Sequence, residues 1–250
     1  MISIEHIECW GIKHAIRGMR NPMNSWDKSD SVFNYFINWE TDELVGESLT
    51  DEDICIDLKG VPDWNKNMTM FGSPTQNAIG PNDKELMLRL VKAGPEHRKF
   101  LRQIFVSMDI TAPLYWWKEF DTYKVGTTAN SCSTMHKIHA KEFELKDFSH
   151  EHLYSDEKEV LKSVISALNG ARELYLDSRH KNDWWQMIQL LPSSYNQKRT
   201  VTMTYENVLN MCLQRENHKL DEWHGFVKLC VAIIPCFADI FNTAKENVTP

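Results

Sequence analysis

A helix-rich α+β fold is predicted by three observations. Ile104, Val106, Met108 and Ile110 alternate with Phe105, Ser107, Asp109 and Thr111, the two-residue period of a half-buried strand. The second half of the chain carries apolar residues at three- and four-residue steps, the period of helices with one buried face. Other strand signals are few and brief: Ile2, Ile4, Ile7 and Cys9 near the start, and Val201, Met203 and Tyr205 late in the chain.

After the first strand and Gly11, helix or loop is expected. From about residue 40 to 81 the chain is rich in Asp and Glu and is punctuated by Gly60, Pro62, Gly72, Pro74, Gly80 and Pro81. An irregular acidic insertion into a single domain spanning 1–250 is the expectation there. Asn82 to Ala93 reads as a helix: Leu86, Leu90 and either Met87 or Val91 share a face, Asn82 is placed to cap, and Gly94-Pro95 ends it. Another turn or two of helix is expected over EHRKFLRQ. Pro113 opens a helix LYWWKEFDTYK that stops near Gly126, and TTANSCST follows as a turn-rich loop. Helices are then expected from Ser155, with Val160, Leu161, Val164, Ile165, Leu168, Ala171, Leu174 and Tyr175; from Asp183 to Pro192; from about Thr204 to Glu216; and from about Lys219, with Pro235 to kink or end it.

A hydrophobic content of 42% suffices for a core, and a net charge of −7 argues against a general DNA or RNA binder, which needs a basic footprint. Local cations can still hold a small phosphorylated ligand. The six cysteines form no CxxC pair. Met1–Gly11 has neither the basic start nor the apolar core of a signal peptide, and no run approaches the roughly 18 apolar residues of a membrane helix. A cytoplasmic protein with reduced thiols is the expectation.

Several features invite chemistry. His136 and His139 stand three apart, but HxxH alone is weak grounds for a metal site. Cys132 has His136 or Lys124 as a cation to favour its thiolate, with no further signature of a nucleophile. Tyr115-Trp116-Trp117 and Trp184-Trp185 read first as core, with stacking on a flat ligand as the alternative. The stretch EFDTYKVGTTANSCST, Glu119 to Thr134, is poor core: with Lys118 and Lys124 near the helix end and hydroxyls after it, it is either a capped surface loop or an anion-contacting element.

From about Ile79 onward the order of features resembles the flavin-dependent thymidylate synthases. AGPEH at Ala93–His97, the strand, and the proline-started helix follow the order of that family. Lys118-Glu119 falls where the family has Arg-Gln, and Thr122-Tyr123-Lys124 where it has Arg-His-Arg. Asn130 to His136 runs beside its N-E-x-S-x-R-Y element. Leu191-Pro192, the helix to Arg215, and Leu220-Asp221-Glu222-Trp223 complete the order. The departures concern charge: the triplet keeps one cation, Lys124; Met135, Ser131 and Glu206 replace Arg, Glu and Arg. Each lost charge-assisted hydrogen bond weakens ligand binding by about 1.5–3 kcal/mol. Arg98, Lys99 and Arg102 are the alternative cations in the sequence.

The resemblance implies a small, mostly antiparallel sheet, a homotetramer with sites between subunits, FAD as cofactor, and reductive methylation of dUMP or a related pyrimidine nucleotide. NADPH would be the reductant and methylenetetrahydrofolate the carbon donor. It implies no protein nucleophile, so no catalytic residue is assigned. His97, Tyr123, Lys124 and Asn130 would contact cofactor. Lys118, Glu119, Ser131, Ser133, His136 and Arg215 would contact substrate, with Arg215 and Glu222 structural or at the far wall of the site. The alternatives are a non-catalytic nucleotide-binding or scaffold homologue of the same fold, and an unrelated helix-rich protein whose polar loop only mimics the order.

Overall fold

The computed structural model describes residues 2–38, 40, 43–50, 52–57, 69–71 and 77–246. Its centre is a four-stranded antiparallel sheet in the order β1 (Ser3–Trp10), β7 (Phe105–Pro113), β9 (Asn196–Thr204), β8 (Thr127–Ser131). In β7 the alternation works as its sequence predicts: Val106, Met108, Ile110 and Ala112 are buried, while Phe105, Ser107, Asp109 and Thr111 are partly open. Ser107 and Thr202 pair across β7 and β9 through their hydroxyls at 2.5 Å. Cross-strand polar pairs of this kind fix register on the more open face.

Strands also occupy described parts of the span expected to be irregular and the segment just before it. β2 (Phe33–Asn38), β3 (Glu43–Glu47) and β4 (Asp53–Asp57) form an antiparallel sheet, and β5 (Thr69–Phe71) pairs with β6 (Asn77–Ile79). Val32 and Ala78 tie the two together by backbone bonds of 2.8 Å. Charge and Gly/Pro density hid these strands, because antiparallel pairing satisfies the backbone whatever the solvent-facing side chains are. Gly60, Pro62, Gly72 and Pro74 lie outside the described residues.

The helices are α1 (Ile12–Arg20), α2 (Pro81–Lys92), α3 (Leu114–Phe120), α4 (Ser155–Ser178), α5 (Lys181–Leu190), α6 (Tyr205–Arg215), α7 (Asp221–Ile233) and α8 (Phe237–Lys245). α2 is not capped by Asn82. Gly80 is its N-cap residue, and the Asp30 carboxylate accepts from the N–H groups of Asn82 and Asp83 at 2.8 and 3.1 Å. A Cβ on Gly80 would sit 2.3 Å from the Asp30 carbonyl oxygen, so only glycine lets the cap approach. EHRKFLRQ supplies one 3₁₀ turn, Lys99–Arg102. α3 stops at Phe120, short of Gly126: the Thr122 hydroxyl donates to the Glu119 carbonyl at 2.7 Å and closes the last turn. Gly126, at φ +74°, instead serves the turn into β8.

TTANS is an edge strand rather than a loop. Thr127 pairs with Met203 and Ser131 with Arg199, because β9 offers an open edge and threonine suits extended backbone. The main core lies between the sheet and helices α1, α2, α3, α6, α7 and α8. Trp116, Trp117, Phe120, Trp223 and Phe226 interlock within it. A second core joins α4 and α5 to the segment 138–148 through Leu161, Ile165, Leu168 and Met187. Val160 and Leu174, among the apolar residues that α4 carries, are exposed. No helix among the described residues is long and apolar enough to cross a membrane.

Candidate functional site

The chain leaves α3 at Phe120 and reaches β8 at Thr127, and this corner holds the Thr122-Tyr123-Lys124 triplet. The Tyr123 hydroxyl donates to Gln214 Oε1 at 3.1 Å and accepts from Arg215 Nε at 2.9 Å. The Arg215 guanidinium lies 5.6 Å from the Tyr123 ring centre and 5.2 Å from that of Trp223. Glu119 Oε2 stands 3.2 Å from Arg215 Nη1 and 3.1 Å from His218 Nε2, and accepts from Trp223 Nε1 at 3.2 Å. Arg215 is thus held by two rings, a hydroxyl and a carboxylate, and its charge is largely matched within the chain.

A cavity of about 580 Å³ opens beside this corner, lined among others by Arg102, Tyr123, Lys124, Glu206, Asn210 and Gln214. A smaller one of about 240 Å³ lies against Phe120, Asp121, Thr127 and Ala129, and Tyr123 and Lys124 line both. Glu206, the carboxylate in the larger cavity, is bound by a buried partner. Arg98 Nε lies 3.2 and 3.1 Å from its two oxygens, and Arg98 Nη2 lies 3.0 Å from Oε1. Arg98 also donates to Asn210 Oδ1 at 3.2 Å. With Glu206 neutralised, the exposed cations Arg102 and Lys124 leave the cavity suited to an anion. Asn207 frames the rim, its amide donating to Val125 O and, at 3.0 Å, to Thr127 Oγ1.

The residues singled out in the sequence therefore divide. Tyr123 and Lys124 line the cavity, with Glu119 and Arg215 behind them. Asn130 and Ser131 are exposed on edge strand β8. Ser133 Oγ accepts from the N–H groups of Met135 and His136 at 3.1 and 2.9 Å, shaping the turn that carries His136. His136 is at a separate cavity near α4 and α5. His97 and Lys118 are exposed and line neither cavity at the Tyr123 corner. Of the three alternative cations, Arg98 is committed to Glu206, Lys99 is exposed, and Arg102 reaches the cavity.

Sequence reasoning missed Arg199. It lies 4.2 Å above the Trp117 ring, 2.7 Å from Asp121 Oδ1, and donates to Gln197 Oε1 at 3.0 Å, bracing the corner from below. Its position on a strand that reads as brief gave no signal. Glu222 accepts a short hydrogen bond from the Tyr115 hydroxyl, which raises the Tyr115 pKa after burial has already done so.

No family model matches the chain, and no curated protein sequence matches it. Solved structures do. Thymidylate synthase X from Helicobacter pylori, with FAD and dUMP, superposes at TM-score 0.59 and 15% identity, covering 100% of this chain and 99% of that one. A second structure of the flavin-dependent thymidylate synthase from Helicobacter pylori, complexed with FAD and dUMP, matches at 0.59 and 16%, covering 98% of each. The chain therefore has the thymidylate synthase X fold over its whole length.

Proposed function

We propose that the protein is a divergent flavin-dependent enzyme of the thymidylate synthase X type, binding FAD and a pyrimidine nucleotide and carrying out reductive methylation of dUMP or a related nucleotide. The observation that carries this reading is the cavity at Tyr123 and Lys124. It lies where the sequence resemblance puts the ligand-contacting triplet, in a fold whose solved examples hold FAD and dUMP.

The donor set suits a phosphate-bearing cofactor: two cations, the amides of Asn210 and Gln214, and a carboxylate already paired. When bound, FAD would supply hydride transfer, with NADPH as reductant and methylenetetrahydrofolate as carbon donor. Arg102 and Lys124 would offset phosphate charge. Tyr123, fixed at its hydroxyl by Gln214 and Arg215, would hold one wall of the cavity rigid, as positioning of reactants requires. No protein nucleophile enters. A cytoplasmic homotetramer accompanies this reading, and Val160 and Leu174 on α4, 64% and 61% exposed, offer apolar surface for subunit contacts.

Native mass spectrometry of the purified protein tests oligomeric state, flavin and nucleotide together. Turnover of dUMP with NADPH and methylenetetrahydrofolate tests the reaction. A colourless protein that takes up no added FAD overturns the proposal. A second reading, a nucleotide-binding homologue without catalysis, is favoured by the pairing of Arg215 with Glu119 and of Arg98 with Glu206, which leaves fewer cations for ligand. It predicts binding of dUMP without conversion.

A further inference from the structure

A cavity of about 520 Å³ lies between the C-terminal end of α1 and the start of α2, and it shares no lining residue with the cavities at Tyr123 or at His136. The chain between the two helices makes two 3₁₀ turns, Asn21–Met23 and Trp26–Lys28, before Asp30 caps α2. Met19, Met23 and Leu86 supply apolar wall, Lys28 and Arg89 supply cations, and Glu85 supplies a carboxylate. No aromatic ring is among its described lining residues, so it offers no stacking face to a base or a flavin ring.

The floor of this cavity is matched in charge within the chain. Asp83 is fully buried and accepts from Arg20 Nε, Ser29 Oγ and Ser31 Oγ, each at 2.6 Å. Arg20, 4% exposed, also donates to the Ser25 carbonyl at 3.1 Å. Above that floor Lys28, Glu85 and Arg89 are exposed. Glu85 stands one turn before Arg89 on α2 and offsets one cation, which leaves the mouth with a positive surplus. Met23 is 81% exposed on a turn whose shape is fixed: the Asn24 N–H bonds to the Asn21 carbonyl at 3.1 Å, and Trp26 Nε1 donates to Asn21 Oδ1 at 2.9 Å. Methionine thioethers are flexible and polarizable, and they mould to a chain of no fixed shape.

We propose that this cavity binds a single-chain aliphatic carboxylate, its head on Lys28 and Arg89 and its chain along Met19, Met23 and Leu86. Guanidinium and ammonium donors give charge-assisted hydrogen bonds to a carboxylate, and the arginine fork can hold both oxygens. Each methylene fully removed from water strengthens binding by up to about fourfold. The inference does not rest on the proposed function, since none of these residues lines the Tyr123 cavities.

The test is calorimetric titration of the full chain with decanoate below its micelle concentration, with hexanoate, and with decyltrimethylammonium, which keeps the chain and reverses the head charge. Carbon-13 spectra of methyl-labelled methionines, with Met19 and Met23 assigned from their leucine variants, report where the ligand sits. We expect decanoate to shift the Met19 and Met23 methyls, to bind several-fold more tightly than hexanoate, and to bind far more tightly than the cationic amphiphile. Lys28→Gln/Arg89→Gln, on two exposed side chains, loses roughly tenfold in decanoate affinity, and Glu85→Gln gains several-fold. An absence of decanoate binding overturns the proposal, as does unchanged affinity in the double variant, equal binding of decyltrimethylammonium, or methyl shifts that miss Met19 and Met23. Uptake of FAD and dUMP is the same in the double variant as in the parent chain, so this inference and the flavin reading fail separately.

Discussion

The Glu206→Gln substitution isolates the charge that distinguishes this cavity. Arg98 and Glu206 are 8% and 7% exposed, and three nitrogen–oxygen contacts of 3.0 to 3.2 Å join them. Glutamine preserves shape and one acceptor oxygen but leaves the guanidinium buried without its counter-charge. Removing one partner of a buried ion pair costs about 3–5 kcal/mol, and the retained acceptor and the Asn210 contact argue for the lower end, about 3 kcal/mol. In a chain of this length that lowers Tm by roughly 6–12 °C. Urea unfolding followed by tryptophan fluorescence reads the change directly. Replacing both partners, Arg98→Met with Glu206→Leu, removes both charges together and recovers most of the loss. A Glu206→Gln variant that loses less than about 1 kcal/mol, or a double variant no more stable than the single, would refute the idea that the carboxylate is committed to Arg98 and not to a ligand.

Glu119→Gln releases Arg215 from its carboxylate while sparing the Tyr123 and Trp223 contacts; affinity for a phosphate-bearing ligand at the Tyr123 corner should rise several-fold, read by titration at low salt, and an unchanged affinity would show that Arg215 does not reach the ligand. Gly80→Ala forces a Cβ onto Asp30 and should destabilise the protein by about 1–3 kcal/mol through loss of the α2 cap, whereas a neutral effect in thermal melts would dismiss that cap. Thiol labelling at mildly alkaline pH should modify exposed Cys132 well before Cys9 or Cys236. Burial pushes those two thiols up to about 11 and about 12, so their thiolates form only as pH approaches those values or the chain unfolds. Equal rates for the three in the folded protein would contradict the burial.

What the sequence determined by itself was local. The β7 alternation, the α2 and α4 periodicities, and the helix from Thr204, whose hydroxyl accepts from the Asn207 N–H at 3.2 Å, rest on neighbours within a turn or two of chain. The order of those elements also pointed to the flavin-dependent thymidylate synthase fold. Tertiary structure decided what each charge does. Glu206 and Arg98 are 108 residues apart, the α2 cap comes from Asp30 more than 50 residues upstream, and TTANS is a strand only because β9 presents its edge. Trp116 and Trp117 are core as their composition suggests, whereas Trp184, alike in sequence, lines a cavity. A side chain's type and its neighbours in sequence fix its local conformation. Whether its charge meets a carboxylate or an open cavity depends on which distant element folds against it, and that pairing is set by packing.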